Sequence, residues 1–138
     1  MKKVKVLVID DEKTSRTLLR RAVEQVGAVA IECSDGERAL HLLEDNQDIS
    51  LVITDYLMPR VTAKELISIV RKEKSEKELP IIVVSGVVHV AEIQDVLKQG
   101  VRYFVPKPID VSMLHEYIVR CFEISDEAAR GLEAGEVQ

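Results

Sequence analysis

Cysteine is scarce in this sequence, with two residues, Cys33 and Cys121, in 138. Each sits in or beside an apolar run, the setting of a buried free thiol rather than of a disulfide framework. Long apolar runs are missing. None approaches the ~20 residues of a membrane span, so no membrane contact is expected. The start, MKKVKVLVIDDE, is basic and then briefly apolar, but it breaks into acidic residues with no small-residue cleavage site. That excludes a secretory signal and makes the cytoplasm the expected address. The histidines, His41, His89 and His115, are too scattered to suggest zinc. An excess of basic charge is also missing. The net charge is -5 and the pI about 5.3, which argues against direct binding to nucleic acid.

What is present is the balance of an ordinary globular protein, 46% hydrophobic and 31% charged, at a length that fits one domain. Short apolar runs stand at Val4–Ile9, Leu51–Thr54, Ile81–Val84 and Tyr103–Val105, with a weaker one at Ala28–Ile31. The first three are rich in Val, Ile and Leu without polar alternation, as strands buried on both faces of a parallel sheet read. Helical stripes lie between and after them: Leu18, Leu19, Ala22, Val23 and Val26; Ala39, Leu40, Leu42 and Leu43; Leu66, Ile67 and Val70; Ile93, Val96 and Leu97; Leu114, Tyr117, Ile118 and Cys121. Gly27 and Gly100 close two of these, and Asp110 is a candidate N-cap for the last. Strand and helix alternate five times, which predicts a three-layer α/β/α sandwich on a parallel sheet. The domain is expected over residues 1–124. The tail, 125–138, is left open between a helix extension and disorder.

In open α/β sheets ligands bind beyond the carboxyl ends of the strands, where strand order reverses. Asp10, Asp11 and Glu12 follow the first run, Asp55 the third, Ser85-Gly86 the fourth, and Lys107-Pro108 the fifth, past Pro106. Singly, these are helix caps and turn residues. Jointly, Asp10, Asp11, Asp55, Ser85 and Lys107 place three carboxylates, a hydroxyl and an ammonium on one edge of one sheet. Two carboxylates 4 Å apart repel by about 4 kcal/mol at an effective dielectric near 20. A divalent cation relieves that, and oxygen-only ligands favour Mg2+. A carboxylate can also act as a nucleophile toward phosphorus. The incoming phosphoryl oxygens would then need compensation from Mg2+, Lys107 and Ser85.

VLVIDDE, ITDYLMP, VVSG and FVPKP, in that order, resemble the receiver domain of two-component response regulators. The resemblance covers residues 3 to 122 or so. It implies a flavodoxin-like, doubly wound sheet of order 2-1-3-4-5. It also implies Asp55 as phosphoacceptor, and Mg2+ held by Asp11, Asp55 and the Leu57 backbone carbonyl, with Asp10 helping through water. Ser85 and Phe104 become the switch pair, with Tyr103 as the rival aromatic. Lys107 becomes the phosphoryl-facing lysine, with a cis bond to Pro108. The implied partners are a histidine kinase or histidine phosphotransfer protein and an unidentified downstream protein, with a phosphorylation-dependent dimer open. The protein would be no enzyme beyond its own phosphotransfer and slow dephosphorylation. Two departures stand out. Arg60-Val61-Thr62-Ala63 replaces a segment that usually ends in glycine, which bears on the shape of that loop. Pro106 stands where an aliphatic residue is usual.

Two positions flank the path of a hydrolytic water, Leu57 and Val87. Both are apolar, so a phosphoryl lifetime of hours rather than seconds is expected. Competing readings are a haloacid-dehalogenase-like phosphatase, a nucleotide or flavin domain, and a degenerate docking module. The first lacks its second Asp, since Leu57 stands there. The second lacks a glycine-rich loop, and acidic residues would repel phosphate in its place. The third sits poorly with a complete set of site residues.

Overall fold

The computed structural model describes residues 3–86 and 89–134, with side chains to residue 122. Ten elements follow in strict alternation: β1 Lys5–Ile9, α1 Lys13–Gln25, β2 Val29–Cys33, α2 Gly36–Asp45, β3 Ile49–Asp55, α3 Ala63–Glu73, β4 Ile81–Ser85, α4 Val90–Lys98, β5 Tyr103–Pro106 and α5 Val111–Ala134. All strand pairs are parallel and the order is β2-β1-β3-β4-β5. The expected doubly wound sheet is therefore present, and β1 and β3 flank the point where the order reverses. α5 runs on past residue 124.

Alternation along each strand divides the core into two layers. Val6 and Val8 of β1, Leu51 and Ile53 of β3, and Ile82 and Val84 of β4 pack against Leu19, Ala22 and Val23 of α1 and Leu114, Ile118 and Cys121 of α5. Leu7 and Ile9, Val52, and Ile81 and Val83 face the other way, onto Ala39 of α2, Leu66, Ile67 and Val70 of α3, and Val96 of α4. The three central strands thus have no polar face, which is why their sequences do not alternate. β2 is an edge strand with Val29 and Glu32 exposed, which explains its weak apolar signal. The sequence placed it a little early, since polar Glu32 interrupts the run.

Cys33 and Cys121 lie in opposite layers, both buried and neither in a disulfide. Burial pushes their thiols up, to about 11 and about 12 respectively, so neither is a ready thiolate.

The helix ends obey local chemistry. Thr62 caps α3 in a reciprocal box with Glu65, and Asp35 caps α2 by accepting from the Arg38 amide at 2.8 Å. Asp110 accepts from the Met113 amide at 3.2 Å, as its position before α5 suggests. Gly27 and Gly100 end α1 and α4 at φ +87° and +95°. Pro106 is tolerated because β5 is the outer strand. The amide bond to β4 at that end comes from Lys107, which donates to the Ser85 carbonyl at 2.8 Å.

Candidate functional site

Each strand buries its last apolar residue and then releases the chain at the same edge. Asp10 follows Ile9 directly, and its amide donates to the Cys33 carbonyl of β2 at 3.2 Å. Asp55 ends β3, and the next amide, Tyr56, donates to Val84 of β4 at 3.0 Å. Asp10 and Ser85 are fully buried and Asp55 is 7% exposed, whereas Asp11 faces solvent. One carboxylate oxygen from each of Asp10, Asp11 and Asp55 lies within 4.8 Å of the others. The three strand-end aspartates singled out in the sequence therefore converge.

Lys107 reaches into this cluster. Its ammonium donates to Asp10 Oδ2 at 3.1 Å and to Asp55 Oδ2 at 3.3 Å. Three carboxylates face one ammonium, so the site stays anionic. Burial raises the pKa of Asp55 above the usual carboxylate range; Lys107 opposes that rise and Asp10 adds to it. Burial works against the charge of Lys107, but its hydrogen bond to Asp10 and the charges of Asp55 and Asp10 outweigh it. Its pKa is raised above the ordinary lysine value. The all-oxygen set suits a hard divalent cation, which would relieve the charge that a single lysine leaves.

Further groups fix the carboxylates. Asp10 Oδ1 accepts from the Glu12 amide at 2.9 Å and Asp55 Oδ1 from the Leu57 amide at 3.4 Å. Two groups escaped the sequence reading. Arg16 of α1 donates to the Asp10 backbone carbonyl at 2.8 Å and is paired with Glu32 of β2 at 3.5 Å. Buried Thr54 donates to the Asp55 carbonyl at 2.9 Å. Each looks locally like an exposed helix residue or a strand filler, so no sequence signal singles them out. The Lys107-Pro108 bond is cis, as expected. Beside the acidic cluster opens a groove of about 490 Å3 bordered by Asp11, Leu57, Met58 and Lys64.

The two aromatics of β5 part company by strand alternation. Tyr103 joins the α1/α5 layer and stacks on Tyr117 with ring centroids 4.1 Å apart. Phe104 is half-buried against the other layer. Leu57 is exposed, at 58%. Val87 lies outside the described residues. The departure after Pro59 also resolves. Ala63 opens α3 in ordinary helical conformation, and the left-handed position falls on Arg60, at φ +69°.

Residues 6–119 match the family model described as the response regulator receiver domain. The chain belongs to the receiver family. Among the receivers it resembles is a chemotaxis protein CheY homolog of Campylobacter jejuni, 35% identical over 114 residues, which are 82% of this chain and 88% of the relative. The two-component response regulator ORR5 of rice is 31% identical over 118 residues, 83% of this chain and 88% of that one. A receiver protein structure from Pseudomonas putida superposes with a TM-score of 0.78 at 33% identity, covering 87% of this chain and 98% of that one. Receivers are signalling domains of two-component systems, which work with histidine kinases and downstream effectors; in this one, a cluster of three aspartates can hold a metal. Among the described residues no helix is long and apolar enough to cross a membrane.

Proposed function

We propose that Asp55 is the phosphoacceptor, served by Mg2+ and drawing its phosphoryl group from a histidine kinase or histidine phosphotransfer protein. The observation that carries this is the position of the Asp55 carboxylate. It meets Asp10 and Asp11 within 4.8 Å and the Lys107 ammonium at 3.3 Å, at the sheet edge where order reverses. Asp10, Asp11, Asp55 and the Leu57 carbonyl would hold the cation. When bound, Mg2+ neutralises charge on the transferring phosphoryl oxygens.

The chain's own residues do the rest. An Asp55 oxygen bonds to phosphorus as the P–N bond to the donor imidazolium breaks, and the donor leaves as neutral imidazole, keeping the proton on its other ring nitrogen. Lys107, freed from Asp55 Oδ2, turns to a phosphoryl oxygen. The Ser85 hydroxyl bonds another, and Phe104 moves inward on the neighbouring strand, changing the face formed by α4, β5 and α5. That face would meet a downstream protein or a second copy of the chain. The net charge of -5 supports a protein rather than nucleic acid as target, and the family's work with histidine kinases supports a cytoplasmic setting. The domain proper is assigned to residues 1–124, with 125–138 as its tail.

Apolar Leu57 and Val87 cannot orient a water for hydrolysis, so the phosphoryl group should persist for hours. The founding test is labelling with acetyl phosphate and Mg2+. Wild type should acquire an acid-stable, base-labile acyl phosphate. Asp55→Asn and chelator-treated protein should acquire none, and undiminished labelling of Asp55→Asn would refute the assignment.

A further inference from the structure

We propose that Gly36, on a helix that gives no side chain to the acidic site, is a positioning residue for the Leu57 carbonyl and acts through the β3–α3 loop. The inference rests on the reading of that carbonyl as a Mg2+ ligand.

Gly36 opens α2 and is buried. A Cβ built on it would overlap the Val61 carbonyl oxygen and come within 2.9 Å of Val61 Cβ and 3.0 Å of its carbonyl carbon. The loop backbone is thus seated directly on the first turn of α2, at a distance only glycine permits. The rest of the loop is held from within. At its start, Thr54 Oγ1 approaches Met58 Sδ at 3.4 Å and the Leu57 amide points to Asp55 Oδ1 at 3.4 Å. At its end, the Thr62–Glu65 box fixes the entry into α3.

Between these anchors Arg60 adopts φ +69°, with its guanidinium 3.7 Å from Glu37 of α2. The chain is therefore short, kinked and pinned at both ends, with Val61 four residues from Leu57. Displacing Val61 cannot be absorbed at the α3 cap and is passed back toward Leu57. A Mg2+ site demands near-ideal octahedral geometry at roughly 2.0–2.1 Å, so a ligand displaced by tenths of an ångström weakens it. A helix outside the site thus sets the aim of one of its ligands.

The test is a MgCl2 titration followed by amide NMR shifts of wild type, Gly36→Ala and Ile118→Val. The last loosens the opposite core layer without touching the loop. Gly36→Ala should bind Mg2+ about fivefold or more weakly, and saturating MgCl2 should restore its labelling by acetyl phosphate. Ile118→Val should keep wild-type affinity. Adding Arg60→Gly to Gly36→Ala gives the loop freedom to settle back, and should recover part of the loss.

Affinity of Gly36→Ala within twofold of wild type overturns the inference, as does an equal loss in Ile118→Val. If Gly36→Ala does not fold, Val61→Gly carries the test. It removes the Val61 Cβ that packs over Gly36 and loosens the backbone seated there, so it should weaken Mg2+ binding at least about threefold, and unchanged affinity again overturns the inference. A wild type that binds no Mg2+ fails the underlying reading instead.

Discussion

Lys107 Nζ stands 3.3 Å from Asp55 Oδ2 while also holding Asp10 Oδ2 at 3.1 Å. One ammonium therefore occupies the gap between the two most buried carboxylates of the site. This arrangement stabilises the protein without metal, and it presents Asp55 with a cation already aimed at its oxygens.

Replacing Lys107 with Gln should remove both services. Labelling by acetyl phosphate should fall by about tenfold or more, as expected when a charge-stabilising group is lost. The unopposed carboxylates should also make stability more dependent on metal. MgCl2 should raise the unfolding midpoint of Lys107→Gln by more than it raises that of wild type. Equal shifts in thermal scans would mean that Lys107 does not offset this repulsion.

The direction of the Asp55 shift fixes a pH dependence. Its pKa in the fold lies above its ordinary 3.8, chiefly through burial. The fold thus favours the protonated carboxyl, and ionising Asp55 costs stability as pH rises through its folded pKa. Without Mg2+, Asp55→Asn should be more stable than wild type at neutral pH. The gap should narrow as pH falls toward 3.8, where wild type gains the proton. Urea unfolding of both proteins between pH 4 and 7 (a span chosen to bracket the change) measures this, and a gap that widens on acidification contradicts it. Lys107 behaves with the same sign in a higher window. Its raised pKa contributes stability that is complete below the usual 10.5 and lost at higher pH.

Arg60 is a non-glycine residue at φ +69°. Arg60→Gly should stabilise the protein by about 0.5–1 kcal/mol, since left-handed backbone costs an L-residue roughly 1–2 kcal/mol and glycine's entropy returns part of that. The exposed contact with Glu37 adds little against this. Denaturant unfolding reads the difference, and a destabilised Arg60→Gly would show that the loop needs more from Arg60 than its backbone.

Arg71 of α3 is a structural clamp. Its guanidinium donates twice to the Gly100 carbonyl, at 3.0 and 2.7 Å, and also to Ser75 at 3.2 Å. It joins the end of α3 to the turn between α4 and β5. Arg71→Ala should cost about 2 kcal/mol, and Arg71→Lys should recover little because an ammonium cannot make the two-pronged contact. Equilibrium unfolding measures both, and full recovery by lysine would exclude the fork as the source.

Leu57→Asn tests the long lifetime. A side chain able to orient water should shorten the phosphoryl half-life by about tenfold, followed as loss of radiolabel. An unchanged half-life would remove Leu57 from that role.

The element order was legible because β1, β3 and β4 are buried on both faces and read as unbroken apolar runs. The candidate site was legible because Asp10, Asp11, Asp55, Ser85 and Lys107 each end a strand or stand just past one, and parallel strands bring such positions to one edge. Sequence alone could not assign Arg16, whose partner is a backbone carbonyl and carries no side-chain signature. Nor could it separate Tyr103 from Phe104, because one residue of strand alternation sends them to opposite layers and only the packed helices distinguish those. The β3–α3 loop was decided by tertiary contact as well. Nothing around Arg60 announces a left-handed turn, and nothing in Gly36 announces that Val61 will rest on it. Local pattern thus determined which groups meet. Their spacing was set by contacts between segments distant in the chain, whose close-packed backbones leave room for only one arrangement.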